Sequence, residues 1–175
     1  SLLRPDSYAR SLGMVYGIDW IGSRMYIATN QGAYTFDEPT GTIAPIKGAE
    51  GQNWHIEHFP TGQIFIGNTY PKNVAGNIAT DIPGATNSSS TCLHECTIHG
   101  QEVLLESDYI GFRVYRKVQG KWTLSAELHT LNIPIRHFQV DHSGTIWAAH
   151  MSRGLYKIEL DRSLTRIANV TPLNR

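Results

Sequence analysis

The residue types best able to do chemistry in this chain are its eight histidines and two cysteines. In Cys92-Leu-His94-Glu-Cys96, strand alternation places Cys92, His94 and Cys96 on one face. Two thiolates and an imidazole form a zinc-type ligand set. Same-face strand neighbours, however, stand about 6.6–7 Å apart, while zinc ligands must converge to about 2.0–2.3 Å from the metal. Three ligands in a row on a flat strand do not meet that demand, and no Cys-x2-Cys or His-x3-His spacing accompanies them. The segment is therefore read as packed cysteines and a hydrogen-bonded histidine, with no metal and no cofactor. The two cysteines lie roughly 13 Å apart along a strand. A disulfide requires Cα atoms about 4.4–6.8 Å apart, so they are not expected to pair, and cysteine usage does not report the compartment.

A second group could bind a neutral polar ligand. Sugar recognition needs planar hydrogen-bonding groups beside aromatic faces. Trp54, His55 and Glu57 lie together on one candidate strand, with Trp20 and His137 on corresponding strands. Aligning these strands puts Gly17, His55, Glu95 and His137 in one row, and Asp19, Glu57, Thr97 and Gln139 in another. The plainer reading of the same rows is a layer of hydrogen bonds satisfying buried polar groups between elements. Ligand-binding candidates are thus Trp20, Trp54, His55, Glu57 and His137. Catalytic residues are not expected. There is no G-x-S-x-G, P-loop or G-x-G-x-x-G pattern. A carboxylate pair such as Glu57 with Glu95, or Asp19 with Glu57, would need a defined separation and one raised pKa to cleave a glycoside. Asn87-Ser-Ser89 and Asn169-Val-Thr171 match the glycosylation triplet, which matters only in a eukaryotic secretory host.

The elements that position these residues repeat. Gly22–Ala28, Gly62–Gly67, Gly100–Leu105 and Gly144–Ala149 align on a turn glycine and an apolar pair. Their central residues Tyr26, Phe65, Leu104 and Trp147 are 39, 39 and 43 positions apart. Each is preceded by a candidate strand (15–21, 54–59, 91–98, 135–140), matched at Ile18, Ile56, Cys96 and Phe138. A third strand follows at Gly32–Asp37, Ile110–Tyr115 and Gly154–Glu159. In the second repeat it is assigned to Gly76–Thr80, reached through a long loop at 69–75. Outer strands are expected at 42–46, 122–128 and 164–170. In the second repeat the outer strand is unclear, because Pro83–Ser90 has loop composition. Alternation at period two, with Tyr, Trp, Ile, Val and Thr, disfavours a helical solenoid of similar period. Four antiparallel strands per roughly 40 residues is the propeller-blade pattern; a β-sandwich with a coincidental repeat is the alternative. The expected fold is all-β: about four four-stranded antiparallel blades in a partial β-propeller. Blades fall near 13–50, 51–90, 91–130 and 131–171, with 1–12 the tail of a preceding blade.

Asp141–Ile158 (DHSGTIWAAHMSRGLYKI) resembles the two-component regulator propeller repeat, in which Asp-x-x-Gly-x-Ile/Leu-Trp-Ile/Ala-Gly/Ala-Thr is followed by Gly-Leu-x-x-Tyr/Phe. Met25–Asp37 resembles it next best, Gln63–Gly67 matches the first half, and the third copy departs from it with Glu106 where a small residue is usual. The resemblance implies the periplasmic sensor region of a hybrid two-component system of the Bacteroides type. In that family, propellers precede an immunoglobulin-like domain, a membrane span and a histidine kinase, and many members respond to oligosaccharides and regulate transcription of glycan-degrading genes. This chain would then be a ligand-sensing piece of the receptor and not itself an enzyme. Its expected partners are an oligosaccharide and the other blades and domains of the receptor. The alternatives are an interaction scaffold without a small-molecule site, and a propeller glycosidase or lyase.

Composition fits this reading. The 175 residues carry no net formal charge and 41% hydrophobic residues, which suits one sizeable globular core. Balanced charge gives no support for nucleic-acid binding through a basic surface. No apolar run approaches the roughly 20 residues of a membrane span. Ser1-Leu-Leu-Arg4 reads as a chain entered midway. An open set of four blades would expose apolar flanks and edges, so the isolated fragment is expected to self-associate.

Overall fold

The computed structural model describes residues 12–86, 89–129 and 132–173. Most of the expected preceding-blade tail and Asn87 of one glycosylation triplet lie outside them. The described residues hold four antiparallel four-stranded sheets and no helix. Sheet 1 comprises β1 (Val15–Ile21), β2 (Arg24–Thr29), β3 (Ala33–Asp37) and β4 (Thr42–Pro45). Sheet 2 comprises β5 (His55–His58), β6 (Ile64–Gly67), β7 (Pro71–Ala75) and β8 (Ile78–Asp81). Sheet 3 comprises β9 (Cys92–Ile98), β10 (Gln101–Ser107), β11 (Phe112–Val118) and β12 (Lys121–Leu128). Sheet 4 comprises β13 (Ile135–Val140), β14 (Ile146–His150), β15 (Leu155–Leu160) and β16 (Ile167–Pro172). Within each sheet the strands pair in chain order, as tight hairpins dictate. The chain divides between Asp81 and Ile82 into two compact units, each holding two sheets.

In sheet 2 the segment expected as the third strand, Gly76–Thr80, leads instead into the outermost strand β8. The third strand is β7, inside the stretch expected to be loop. Its sequence, Pro-Lys-Asn-Val-Ala, lacks alternating aromatics. Pro71 is tolerated because it is the first strand residue, where its missing donor costs least.

The four sheets share one register, measured from the last ladder pair of the second and third strands: Ala28–Ala33, Gly67–Pro71, Ser107–Phe112 and Ala149–Leu155. Two residues earlier stand Tyr26, Phe65, Leu105 and Trp147. Opposite them on the innermost strands lie Asp19, Glu57, His94 and Gln139. The next row is Gly17, His55, Cys92 and His137. The expected register is therefore correct for three sheets and displaced in the third. There Leu105 replaces Leu104, Leu93 replaces Cys96 beside Ile18, Ile56 and Phe138, and neither Glu95 nor Thr97 belongs to the polar rows. The cause is the β9–β10 hairpin. It runs seven pairs without a bulge, whereas β1 and β13 each carry a bulge and pair over a shorter length. The same shift explains Glu106: the small residue of that position is Ser107.

The face bearing Tyr26, Phe65, Leu105 and Trp147 is here termed the front face and its reverse the back face. In the N-terminal unit, Tyr26, Ala28, Ala33 and Ile46 on the front of sheet 1 pack with Ile56, Ile64, Ile66 and Val74 on the back of sheet 2. In the C-terminal unit, Leu105, Phe112, Val114 and Leu128 on the front of sheet 3 pack with Phe138, Ile146, Ala148 and Ile158 on the back of sheet 4. Trp147 lies on the front of sheet 4, away from this core, and is half-buried. Tyr156 packs against the core from the back face.

Two linkers between sheets also tie to the outer strand of the sheet they enter. Lys47 forms a parallel bridge with Ile78, and Pro83 O accepts Leu124 N–H at 2.9 Å. Glycine is required one residue on in both linkers. Gly48 and Gly84 have φ of 87° and 80°, and a Cβ would press on Ala79 O and on Leu124 respectively.

Candidate functional site

The start of the innermost strands in the N-terminal unit gathers the richest set of exposed recognition groups. Bulges set them there. The ladder of β1 skips Tyr16 between Val15 and Gly17, and Trp54 N–H bonds Gly67 O, the residue already paired with His55. A bulge re-aims the extra side chain out of the alternating pattern. Tyr16 and Trp54 consequently meet, with ring centroids 5.2 Å apart and planes inclined at 40°. Tyr16 is exposed and Trp54 partly so. Gln52 Nε2 donates to Tyr16 Oη at 3.5 Å.

Buried amides hold this rim. Asn53 is fully buried and its Nδ2 donates to Ala49 O at 2.8 Å and Gly51 O at 3.0 Å. Its Oδ1 accepts from Asn68 Nδ2 at 3.1 Å, and Asn68 also donates to Glu50 O at 3.2 Å. Asn53 N–H donates to Thr29 O at 2.9 Å. Satisfied buried amides of this kind specify one loop arrangement, and here they fix the backbone on both sides of Gln52 and Trp54.

Below the rim, the His55 ring lies over Gly67, where any added Cβ would overlap the imidazole. His55 Nδ1 is 3.8 Å from Glu57 Oε2, with both side chains largely buried. On the neighbouring strand, Asp19 Oδ2 accepts His58 N–H at 3.0 Å. Gly17 permits this approach of β1 to β5, since a Cβ there would stand 3.3 Å from Ile56 N. The arrangement presents two aromatic faces with neutral and acidic hydrogen-bonding groups behind them.

Of the five sequence-derived candidates, Trp54, His55 and Glu57 come together here. Trp20 is nearer the opposite end of β1, exposed, and edge-on to Phe36 with centroids 6.5 Å apart. His137 is exposed on β13 of the other unit, opposite Ala149. Tyr16 was missed. Its signal is an aromatic immediately before Gly17, matching Trp54 immediately before His55.

The C-terminal unit holds two further polar groups. Cys92 and Cys96 lie on the front of sheet 3 and are not disulfide-bonded. Cys92 Sγ is 3.5 Å from His94 Nε2, and the His94 ring meets Phe138 edge-on at 4.9 Å. Burial holds the His94 imidazole below its usual pKa and pushes the Cys96 thiol up to about 12. On the back of the same sheet, buried Arg113 reaches three carboxylates: Asp108 by a hydrogen bond, Glu127 at 3.1 Å and Glu106 at 3.5 Å. Tyr115 Oη donates to Glu106 Oε2 at 2.8 Å, and burial, then the Glu106 charge, push its phenol far above its usual range. Asp108 Oδ1 also accepts Ile110 and Gly111 N–H, both at 2.8 Å, capping the β10–β11 turn.

Sheet 4 repeats an Asp-x-Ser-x-Thr turn at Asp141 and Asp161. Asp141 Oδ1 accepts Ser143 and Thr145 N–H, and its Oδ2 accepts Trp147 Nε1–H at 2.9 Å. Asp161 Oδ1 accepts Thr165 and Arg166 N–H, and its Oδ2 accepts Ser163 Oγ–H. These carboxylates point at donors, so they are turn caps and not cation ligands.

No family model and no curated protein matches the sequence. Solved structures do. The extracellular domain of BT4673 from B. thetaiotaomicron, described as a hybrid two component system, superposes with a TM-score of 0.68 at 15% identity, covering 93% of this chain and 22% of that one. The extracellular domain of BT3049 from the same organism, described likewise, gives 0.58 at 15% identity over 83% of this chain and 20% of that one. Hydrazine synthase of Kuenenia stuttgartiensis gives 0.66 at 13% identity over 98% of this chain and 53% of that one. At such identities the likeness is one of fold. The chain spans about a fifth of the length of the two extracellular domains.

Proposed function

We propose that the four sheets are blades of a β-propeller, and that the chain is a ligand-sensing portion of the extracytoplasmic, periplasmic region of a two-component signalling protein. The Tyr16–Trp54 rim would be a carbohydrate-responsive surface, and its downstream output transcriptional. The fold likeness to extracellular domains described as hybrid two component systems supports the sensor setting. The observation that carries the binding role is the Tyr16–Trp54 pair, two aromatic faces turned outward by bulges and held by a buried amide network. Aromatic faces accept the apolar face of a pyranose, while Gln52, His55 and Glu57 supply the planar polar groups that orient hydroxyls.

The role assigned is binding, not turnover. Glu57 sits beside His55, an arrangement that orients an imidazole as a hydrogen-bonding group. A ligand drives signalling only through its differential affinity for two receptor arrangements. Calorimetric titration of neutral oligosaccharides against the chain and its Trp54→Ala variant tests the reading. Heats seen for the wild type and lost in a folded variant support it. Identical isotherms for both would refute it.

A further inference from the structure

The residue that follows the last ladder pair of the second and third strands closes the same turn in every sheet. These residues are Thr29, Asn68, Asp108 and His150. Each donates its backbone N–H to the carbonyl just before the third strand: Gly32 O at 2.9 Å, Tyr70 O at 3.3 Å, Gly111 O at 3.1 Å and Gly154 O at 2.9 Å. Each also accepts turn N–H groups on its side chain. Thr29 Oγ1 accepts Gln31 and Gly32 N–H at 3.1 and 3.2 Å, and Asn68 Oδ1 accepts Thr69 N–H at 2.5 Å. Asp108 Oδ1 accepts Ile110 and Gly111 N–H, both at 2.8 Å. In sheet 4 the acceptor is an imidazole nitrogen. His150 Nδ1 takes Ser152 N–H at 2.9 Å and Arg153 N–H at 3.0 Å.

Hydroxyl and amide oxygens take up no proton near neutral pH, and a carboxylate does so only in acid, whereas an imidazole changes charge near neutrality. An imidazolium has two N–H donors and no acceptor. Accepting two N–H groups on Nδ1 therefore requires the neutral His150 ring with its proton on Nε2. We propose that the 151–154 turn is a pH-responsive element, closed on neutral His150 and released when Nδ1 takes a proton. That proton occupies the lone pair both amides share and sets three N–H groups against one another. Ser152, Arg153 and Gly154 are exposed, so the freed amides turn to water. His150 is partly exposed, and its ring lies against Tyr156 of β15, the titratable group facing it from that strand, with centroids 6.1 Å apart. On the other side, β13 brings Arg136 and His137 next to Ile135, the ladder partner of His150. Sheet 3 meets β13 through Asp108 O, which accepts Ile135 N–H at 3.1 Å, while the Asp108 carboxylate serves its own turn and Arg113. The turn itself carries Arg153. Its two hydrogen bonds to His150 are thus present at high pH and lost as pH falls.

Two-dimensional amide NMR of the full chain, from about pH 8 to about pH 5, tests this beside the variant His150→Thr, which installs the sheet 1 cap in sheet 4. In the wild type the Ser152 and Arg153 amide signals are expected to shift together, with one midpoint shared by the His150 ring protons, toward the positions of water-bonded amides. In His150→Thr both shifts are expected to vanish, with the two amides still hydrogen-bonded at either pH. Wild-type Ser152 and Arg153 signals that do not move overturn the proposal. So does an unchanged titration of both in His150→Thr, which would place the responsible group elsewhere, such as His137. If the variant does not fold, the imidazole nitrogen shifts of wild-type His150 decide. A bare Nδ1 at high pH that gains its proton in step with the two amides supports the proposal, and a proton already on Nδ1 at high pH refutes it.

Discussion

Asp19 on β1 accepts the backbone N–H of His58 on β5 at 3.0 Å, so a carboxylate of one sheet finishes the ladder of the next. The two residues are 39 positions apart, the repeat length itself. Asp19→Ala is expected to destabilise the chain by about 0.5–1.5 kcal/mol, the net worth of one hydrogen bond. Asp19→Asn keeps an acceptor oxygen and should recover most of it. Urea denaturation of the three proteins checks the order.

Tyr16→Ala and Trp54→Ala should each weaken ligand binding at least tenfold, about 1.4 kcal/mol, while shifting thermal stability far less than a core truncation. Gly67→Ala tests the same rim from beneath. Its methyl would displace the His55 ring, so binding should fall without removal of any binding side chain. Calorimetric titration beside thermal melts separates the two effects.

Removing Arg113 leaves Glu106 and Asp108 fully buried beside no cation. Breaking a buried pair from one side costs about 3–5 kcal/mol, so Arg113→Met should lower the denaturation midpoint sharply. Replacing Glu106 as well removes one stranded charge and should restore part of the loss. A double-mutant cycle in urea measures it.

Stability should fall with acid in two windows. His94 has a depressed folded pKa, so below the usual histidine value near about 6.5 the unfolded chain binds the extra proton and folding weakens. Asp161 is held at about 2, chiefly by the Ser163 hydroxyl. Its contribution is present above the unfolded value near about 4 and is lost as pH falls through the folded one. His94→Gln should flatten the first window and Asp161→Asn the second, read from thermal midpoints against pH.

Cys92 and Cys96 should resist a water-soluble disulfide reagent at neutral pH. Cys92 is buried and the Cys96 thiol is pushed up to about 12; the reactive species is the thiolate. Slow labelling of the folded chain, and two fast equivalents after denaturation, are expected by absorbance.

The repeat and the antiparallel four-stranded units were legible because turn glycines and alternating apolar residues recur near a fixed spacing. The third sheet's register was not. Leu104 and Leu105 are both apolar, so letters alone cannot say which faces forward, and the longer β9–β10 hairpin carries no distinctive residue. β7 was hidden because Pro-Lys-Asn resembles a loop until pairing is seen. At the candidate site, Trp54, His55 and Glu57 were visible as types in sequence. Tyr16 was not, because a bulge rather than alternation brings its ring to Trp54. The Asn53–Asn68 bond joins residues 15 apart, a pairing that only tertiary structure reveals.

The linker crossing at Lys47 has a kinetic consequence. Lys47 N–H is held by Asn77 O and Ala79 N–H by Lys47 O, both at 2.8 Å. The protecting partners of these two amides are in each other's segment. Neither can exchange with solvent unless β8 parts from the linker, so both should open in a single event despite lying far apart in sequence. The outer rim of sheet 2 is thus a latch on sheet 1, and fraying of either sheet would propagate to its neighbour rather than stop at the turn between them.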